Sequence, residues 1–139
     1  MSRPGAAFAG AAAALVWGAL EPIDMRVFRS DYSDVAVLGK LVTRGRAWPV
    51  VGIAFHALNG ATFGLVFDEV RRHTSLPPRR LALGLALAEH VALFPLSYLV
   101  DRRHPARGEP GVAPLFNVRG FAQATARHAL FGAVLGRLV

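Results

Sequence analysis

The stretch from Trp48 to Phe67 reads WPVVGIAFHALNGATFGLVF, 20 residues without a formally charged side chain and with one histidine, His56. A helix rises about 1.5 Å per residue, so a segment of ~20 apolar residues spans the ~30 Å hydrocarbon core of a bilayer. The whole chain has the same character, since 53% of its 139 residues are hydrophobic and only 18% are charged. Such a composition excludes a disordered chain and predicts an integral membrane protein.

Three further segments have a similar character. Leu81 to Val100 and Phe121 to Val139 are long enough to span a bilayer. Phe8 to Leu20 is shorter and spans only if its helix continues through Pro22 to about Val27. We therefore predict an all-α fold, an integral membrane bundle of four transmembrane helices forming a single domain over the 139 residues. The alternatives are a soluble bundle of unusually apolar helices and a signal peptide at the first segment.

The connections between these segments are polar. Ser30 to Asp34 is a cluster of helix-starting residues, and the partly periodic residues after it predict a short amphipathic helix at the membrane interface. Asp101 to Gly120 is rich in proline and glycine and predicts an irregular loop. His73 and His104 lie in arginine-rich loops and are expected to be solvated. The net charge of +7 comes mainly from arginines that flank the spans, which favours contact with anionic lipids and not with nucleic acid.

An internal repeat relates the second and fourth segments. His56 to Gly64 reads HALNGATFG, and His128 to Gly136 reads HALFGAVLG, with six of nine positions identical. The first and third segments match more faintly, Ala19 to Ile23 against Ala92 to Leu96. We interpret this as two duplicated helical hairpins, copies related by an axis along the membrane normal. The repeat units cover residues of about 5–67 and 81–139.

In the second and fourth segments, small residues recur at every fourth position in line with His56 and His128. This spacing places the small residues and the histidine of each segment on one helix face. Stripes of this kind let helix backbones approach closely in lipid, where hydrophobicity does not drive association. The sequence predicts helix packing at Gly52, Gly60, Gly64, Gly132 and Gly136.

A layer of polar residues lies near mid-depth of the predicted spans. A charge at this depth needs a partner, and internal pairing of Glu89 with Arg127 provides one. Metal binding is an alternative, since imidazoles and carboxylates bind transition metals. A narrower form is a haem b held between His56 and His128, and a further alternative is a proton relay. The candidate metal ligands are His56, His90 and His128 with Glu21 or Glu89.

The sequence favours a non-enzymatic role. It contains no cysteine, no phosphate-binding loop, no dinucleotide fingerprint and no Ser/His/Asp nucleophile arrangement. We expect a structural or accessory subunit of a membrane assembly, packed through its glycine-rich faces as a homo-oligomer or in a larger complex. The expected location is a bacterial inner membrane. A metal- or haem-binding protein is the alternative function.

The chain resembles the small YagU-type inner-membrane proteins over residues of about 50–136. The resemblance rests on His56 before a glycine stripe, Glu89-His90 followed by Pro95, and His128 with Gly132. It implies an inner-membrane protein loosely associated with acid tolerance, for which no reaction is established.

Overall fold

The computed structural model describes residues 3–139, and no strand occurs in this part of the chain. The helices are α1 (Arg3–Phe28), α2 (Asp34–Val42), α3 (Trp48–Arg72), α4 (Pro78–Leu93), α5 (Ser97–Arg103) and α6 (Val118–Leu138). An isolated antiparallel bridge joins Tyr32 to Val112. The prediction of an all-α fold is confirmed.

Two prolines act differently on their helices. α1 continues through Pro22 to Phe28, so the first segment does reach spanning length. At Pro95 the helix tightens into a 3₁₀ turn, Phe94–Leu96, which joins α4 to α5. Proline removes a backbone donor from the α-helical ladder, and a 3₁₀ turn is a common way to accommodate that loss.

Three helical segments are long and apolar enough to cross a membrane. They are α1, α3 and the continuous rod Pro78–Arg103 that contains α4 and α5. α6 is not among them, because Arg119, Arg127 and Arg137 lie within it and lower its hydropathy. The described residues thus contain three candidate spans, one fewer than the sequence predicted.

The long helices pack in the order α3, α1, α6, α4. α1 lies along α3, α4 lies along α6, and α1 also contacts α6, whereas α3 and α4 make few contacts with each other. A cavity lined by residues of all four helices lies between α3 and α4, where their contacts are sparse. α2 packs across α3 and closes one end of the bundle.

Glycines permit the closest of these contacts. A methyl group on Gly10 of α1 would overlap the carbonyl oxygen of Gly60 in α3, and one on Gly64 would overlap the carbonyl oxygen of Ala6. At the α4–α6 contact, a Cβ on Gly132 would lie 2.8 Å from the Cα of Leu83. Two further glycines lie equally close to a neighbouring helix. A Cβ on Gly52 would overlap Val35 of α2, and one on Gly136 would lie against Arg79 of α4.

Side-chain caps connect the loops to the helices. Ser33 Oγ accepts from Ala36 N and begins α2, which confirms the predicted short helix. His104 is buried, not solvated as predicted, while His73 is exposed. The His104 Nε2–H donates to the Val37 carbonyl at 2.9 Å, and Nδ1 accepts from Ala106 N. His104 therefore ties the irregular loop to α2, which is why it is removed from solvent.

The glycine contacts predict opposite effects for two matched substitutions. Gly60→Ala places a methyl group against Gly10 and Ala14 and should destabilise the protein by about 1–3 kcal/mol. Gly84→Ala, on a part of α4 with nothing within 4 Å, should be neutral or stabilising by up to about 1 kcal/mol, because alanine favours the helix. Thermal unfolding of the purified protein in detergent measures both. Similar shifts for the two variants would contradict the close α1–α3 approach.

Candidate functional site

A buried ionic cluster forms around Arg127 of α6, which is 2% exposed. Its guanidinium donates two hydrogen bonds to Asp24 of α1, from Nε to Oδ2 at 2.8 Å and from Nη2 to Oδ1 at 2.6 Å. Nη1 donates to Asp34 Oδ2 at 2.6 Å, and Nη2 also donates to the Tyr32 carbonyl at 2.8 Å. Bidentate pairing of this kind is the strong form of an Arg–carboxylate contact, and it joins α6 to α1 and to the start of α2.

The cluster depends on how Glu21 holds the beginning of α2. Glu21 is 3% exposed and accepts from Ser33 Oγ at 2.5 Å and from Asp34 N at 2.7 Å. A carboxylate is favourable at a helix N-terminus, where backbone N–H groups have no helical partner. Glu21 therefore acts as a cap for α2 and fixes the position of Asp34 beside Arg127, a role different from the metal ligand considered above.

The predicted pair of Glu89 and Arg127 does not form, and that prediction is wrong. Arg127 binds Asp24 and Asp34, whereas Glu89 of α4 is half-exposed and lies 4.0 Å from the His128 imidazole. The sequence prediction paired charges of adjacent predicted spans. The prediction did not consider residues between the spans as partners, although Tyr32 and Asp34, which lie between α1 and α3, both bind Arg127.

The geometry around Arg127 determines the pKa shifts of Tyr32 and Asp34, which lie between α1 and α2 and at the start of α2. Burial is the largest single influence on Asp34 and opposes its ionisation, but the charge and hydrogen bond of Arg127, together with the nearby imidazoles of His56 and His128, hold the pKa of the Asp34 carboxyl below its usual value. Burial, followed by the charge of Asp34, raises the pKa of the Tyr32 hydroxyl well above its usual value. At neutral pH Asp34 is therefore an anion, and Tyr32 is a neutral phenol that donates to Asp34 Oδ1 at 3.1 Å.

His56 of α3, His90 of α4 and His128 of α6 lie in one aromatic cluster with Trp17 of α1. The Trp17 ring centroid lies 5.1 Å from that of His56 and 4.9 Å from that of His128. His128 in turn lies 4.8 Å from His90. His56 and His128 both pack edge-on against the indole, so the two imidazoles share Trp17 as a neighbour, and this arrangement gives no support to a haem b held between them.

Hydrogen bonds occupy two of the candidate ligands. His128 Nδ1 donates to the Ala124 carbonyl at 2.7 Å. His90 Nε2 lies 2.9 Å from Thr125 Oγ1, whose only proton goes to the Phe121 carbonyl, so His90 is the donor. Within residues 3–139, no three His, Asp or Glu side chains are arranged to hold a metal ion. The geometry thus gives no support to the transition-metal alternative.

The cavity between α3 and α4 has a volume of about 720 Å³. Trp17, His56 and His128 line its inner part, together with Phe63 and Phe131. Two ring nitrogens of these residues, Trp17 Nε1 and His56 Nε2, are buried and have no hydrogen-bond partner. Buried polar atoms without partners are rare in folded proteins, but neither of these two has accessible surface, so they are packed behind the cavity wall and are not open to a bound molecule.

Sequence reasoning missed three residues of this region. Asp24 lies at the far end of the first predicted span and Asp34 in the predicted helix start, and neither pattern indicates that both bind Arg127. Trp17 was not singled out, but a signal for it existed. The faint match between the first and third segments has a spacing of 73, which aligns Trp17 with His90. These two residues make the equivalent ring contacts with His56 and His128.

Comparisons with known proteins give no family assignment: no family model, no curated protein and no solved structure matches the chain. The resemblance to YagU-type proteins therefore stays a prediction.

The ionic cluster predicts a large effect at Arg127. Arg127→Gln leaves Asp24 and Asp34 without their cation and should destabilise the protein by about 3–5 kcal/mol, as expected when one partner of a buried pair is removed. Arg137→Gln is the control, since exposed Arg137 bonds only a carbonyl of its own helix. Denaturant unfolding in detergent measures both, and equal losses in the two variants would contradict the role of the cluster.

Asp34 also predicts a pH dependence. A carboxyl whose pKa is lowered on folding contributes stability above its unfolded pKa of about 3.9, and this contribution is lost as the pH falls through the folded value. The unfolding free energy of the wild type should therefore decrease below about pH 4 more steeply than that of Asp34→Asn. Parallel pH profiles of the two proteins would show that Arg127 does not stabilise the Asp34 anion.

Proposed function

We propose that the chain is a four-span membrane protein in which α6 is the fourth span. α6 has 21 residues and packs along both α1 and α4. Its one deeply buried charge, Arg127, is neutralised by Asp24 and Asp34, so the mean hydropathy of the helix overstates the cost of placing it in lipid. Its other arginines, Arg119 and Arg137, belong to the first and last turns and reach the interface.

Equivalent contacts support a duplication of two hairpins, α1 with α3 and α4 with α6. Gly60 opposes Gly10 in the first pair, and Gly132 opposes Leu83 in the second, where the repeat spacings of 72 and 73 place them. The same spacings relate a second pair of contacts, that of Gly64 with Ala6 and that of Gly136 with Arg79. The duplicated unit is thus a glycine-packed hairpin, and its glycine faces are used inside the bundle.

Within a membrane, we propose that the protein serves as an accessory subunit of a larger assembly or of a homo-oligomer. The observation that carries this proposal is the outward face of α4, where Gly84 has nothing within 4 Å and Val91 is 61% exposed. Only 17% of the apolar window containing α4 is buried, against 39% for α1, so α4 has the most surface available for another helix. A glycine on such a surface allows a partner backbone to approach closely.

A bacterial inner membrane is the proposed location. Four arginines flank the α3–α4 connection, Arg71 and Arg72 on one side and Arg79 and Arg80 on the other. Arginines at this position favour the headgroups of anionic lipids, each contributing about 1 kcal/mol near the surface.

The four-span topology predicts a distinct labelling pattern, and the absence of cysteine from the chain makes the test direct. Single cysteines at Ser75 and Val139 should react with an impermeant maleimide on the same side of the membrane, and one at Arg107 on the opposite side. If α6 does not cross, Val139→Cys instead reacts on the side of Arg107→Cys, and the proposed fourth span is wrong.

The accessory role is tested by the native size of the protein in membranes. On a blue native gel, Gly84→Leu should shift the protein from a complex to the size of the 14.9 kDa chain in its micelle, without changing the unfolding temperature of the purified protein. Ala12→Leu, on an exposed position of α1, is the matched control and should keep the complex. A wild type that already runs as the lone chain would overturn the accessory role.

A further inference from the structure

The cavity between α3 and α4 has an excess of carboxyl groups. Glu89 of α4 and Asp34 of α2 both line it, and their side chains are 43% and 23% exposed. Asp34 shares the single guanidinium of Arg127 with Asp24 and with Glu21, which lies 3.5 Å from it. In the described part of the chain, no lysine or arginine lines the cavity. One guanidinium does not balance four carboxyl groups, so the charge of the cavity favours a cation.

The polar groups of the lining have used most of their hydrogen-bond protons inside the protein. Thr62 Oγ1 and His128 Nδ1 each donate to the carbonyl four residues earlier in their own helices, and the Tyr32 hydroxyl donates to Asp34. Carboxylates have no proton to donate. Apart from the amide of Asn59, which both donates and accepts, the lining therefore offers acceptors, and it suits a ligand that donates.

Two of these acceptors face each other without a donor between them. Glu89 Oε2 and His128 Nε2 are 4.0 Å apart, a distance too long for a hydrogen bond. Because Nδ1 carries the proton of the neutral imidazole, Nε2 of His128 is an acceptor, as the Glu89 carboxylate is. An N–H group about 3 Å from both atoms satisfies them together, and a charged donor forms the stronger bonds.

The rest of the lining specifies an apolar body for the same ligand. It includes Phe63 and Phe131, whose rings lie edge-to-face with centroids 5.0 Å apart, and the aliphatic side chains of Val66, Leu85 and Leu93. Aromatic rings attract a cation as well as apolar groups. A volume of about 720 Å³ with mostly apolar walls and a few polar groups matches a small-molecule site.

We propose that this cavity binds an amphiphilic primary amine in its ammonium form, with the ammonium donating to Glu89 and His128 and the apolar body lying between α3 and α4. A free amine fits better than the ammonium of a lipid headgroup. Glu89 lies near the middle of the apolar rod, about 16 Å from Pro78 at 1.5 Å per residue, and headgroups lie at the ends of a span. The inference goes beyond the accessory role and needs no partner subunit.

The test uses the full chain in phosphatidylcholine nanodiscs, with Trp48→Phe so that Trp17 is the sole tryptophan. The probe is dansylcadaverine, a primary amine joined by an alkyl chain to a fluorescent ring. Energy transfer from Trp17 to the dansyl group should rise along a saturating curve that ends at one probe per protein. The N-acetylated probe has the same body without the charge, and it should give only the linear rise of partition into lipid.

Substitutions at Glu89 separate its charge from its shape. Glu89→Gln should raise the Kd of the probe about 10- to 100-fold, as expected for the loss of a charge-assisted hydrogen bond, and Glu89→Asp should raise it less. Glu69→Gln is the matched control, because it removes an exposed carboxylate of α3 that does not line the cavity, and it should leave the Kd unchanged.

A second pair of variants tests the cavity itself. Ala88→Leu narrows it from the α4 wall and should abolish the saturating phase, while Ala12→Leu, on the exposed side of α1, should keep it. A linear rise without Ala88→Leu, equal saturation by the acetylated probe, or an unchanged Kd in both Glu89→Gln and Ala88→Leu would overturn the proposal. Loss of the saturating phase in phosphatidylethanolamine nanodiscs would assign the site to a lipid headgroup and overturn the free amine. A saturating curve from a protein that runs as the lone chain would support the amine site and not the accessory role.

Discussion

The Arg127 guanidinium is bound by the carboxylates of Asp24 and Asp34 and by the Tyr32 carbonyl, so one side chain joins α6, α1 and the start of α2. A buried cation of this kind is tolerated only when its donors are all matched, because desolvation of an unpaired charge costs several kcal/mol. Glu21 extends the arrangement by capping α2 through Asp34 N. The orientation of α2, and through it the closed end of the bundle, therefore depends on how this single charge is satisfied.

Glycine residues determine how closely the long helices approach one another. α1 and α3 approach so closely at Gly10, Gly60 and Gly64 that no side chain fits between their backbones. The α4–α6 contact at Gly132 is similar, and α1 joins the two hairpins through α6. Because both glycine faces are turned inward, α3 and α4 are left apart, and the cavity with Trp17 and His56 follows from that separation.

Much of the architecture was predictable from local patterns. The apolar length of Trp48 to Phe67 and the helix-starting residues that end at Asp34 specify helices through local pattern alone. The continuation of α1 past Pro22 was a condition of the four-span prediction, and the structure meets it. The partners of the polar residues were not predictable in this way. Arg127 bonds residues 93 and 103 positions away, and His104, which looks like a loop residue, is buried against Val37.

What the sequence by itself determined is the all-α character, the apolar segments long enough to span and the positions where helices carry no side chain. These are properties of consecutive residues, and they follow from the helical repeat and from hydropathy. Only the tertiary structure decided that Arg127 binds Asp24 and Asp34 and leaves Glu89 beside His128, and that Trp17 packs against two of the histidines expected to share a ligand. The reason is geometric: the rotation of each helix about its axis is set by the packing of its neighbours, and no local pattern in the sequence records it.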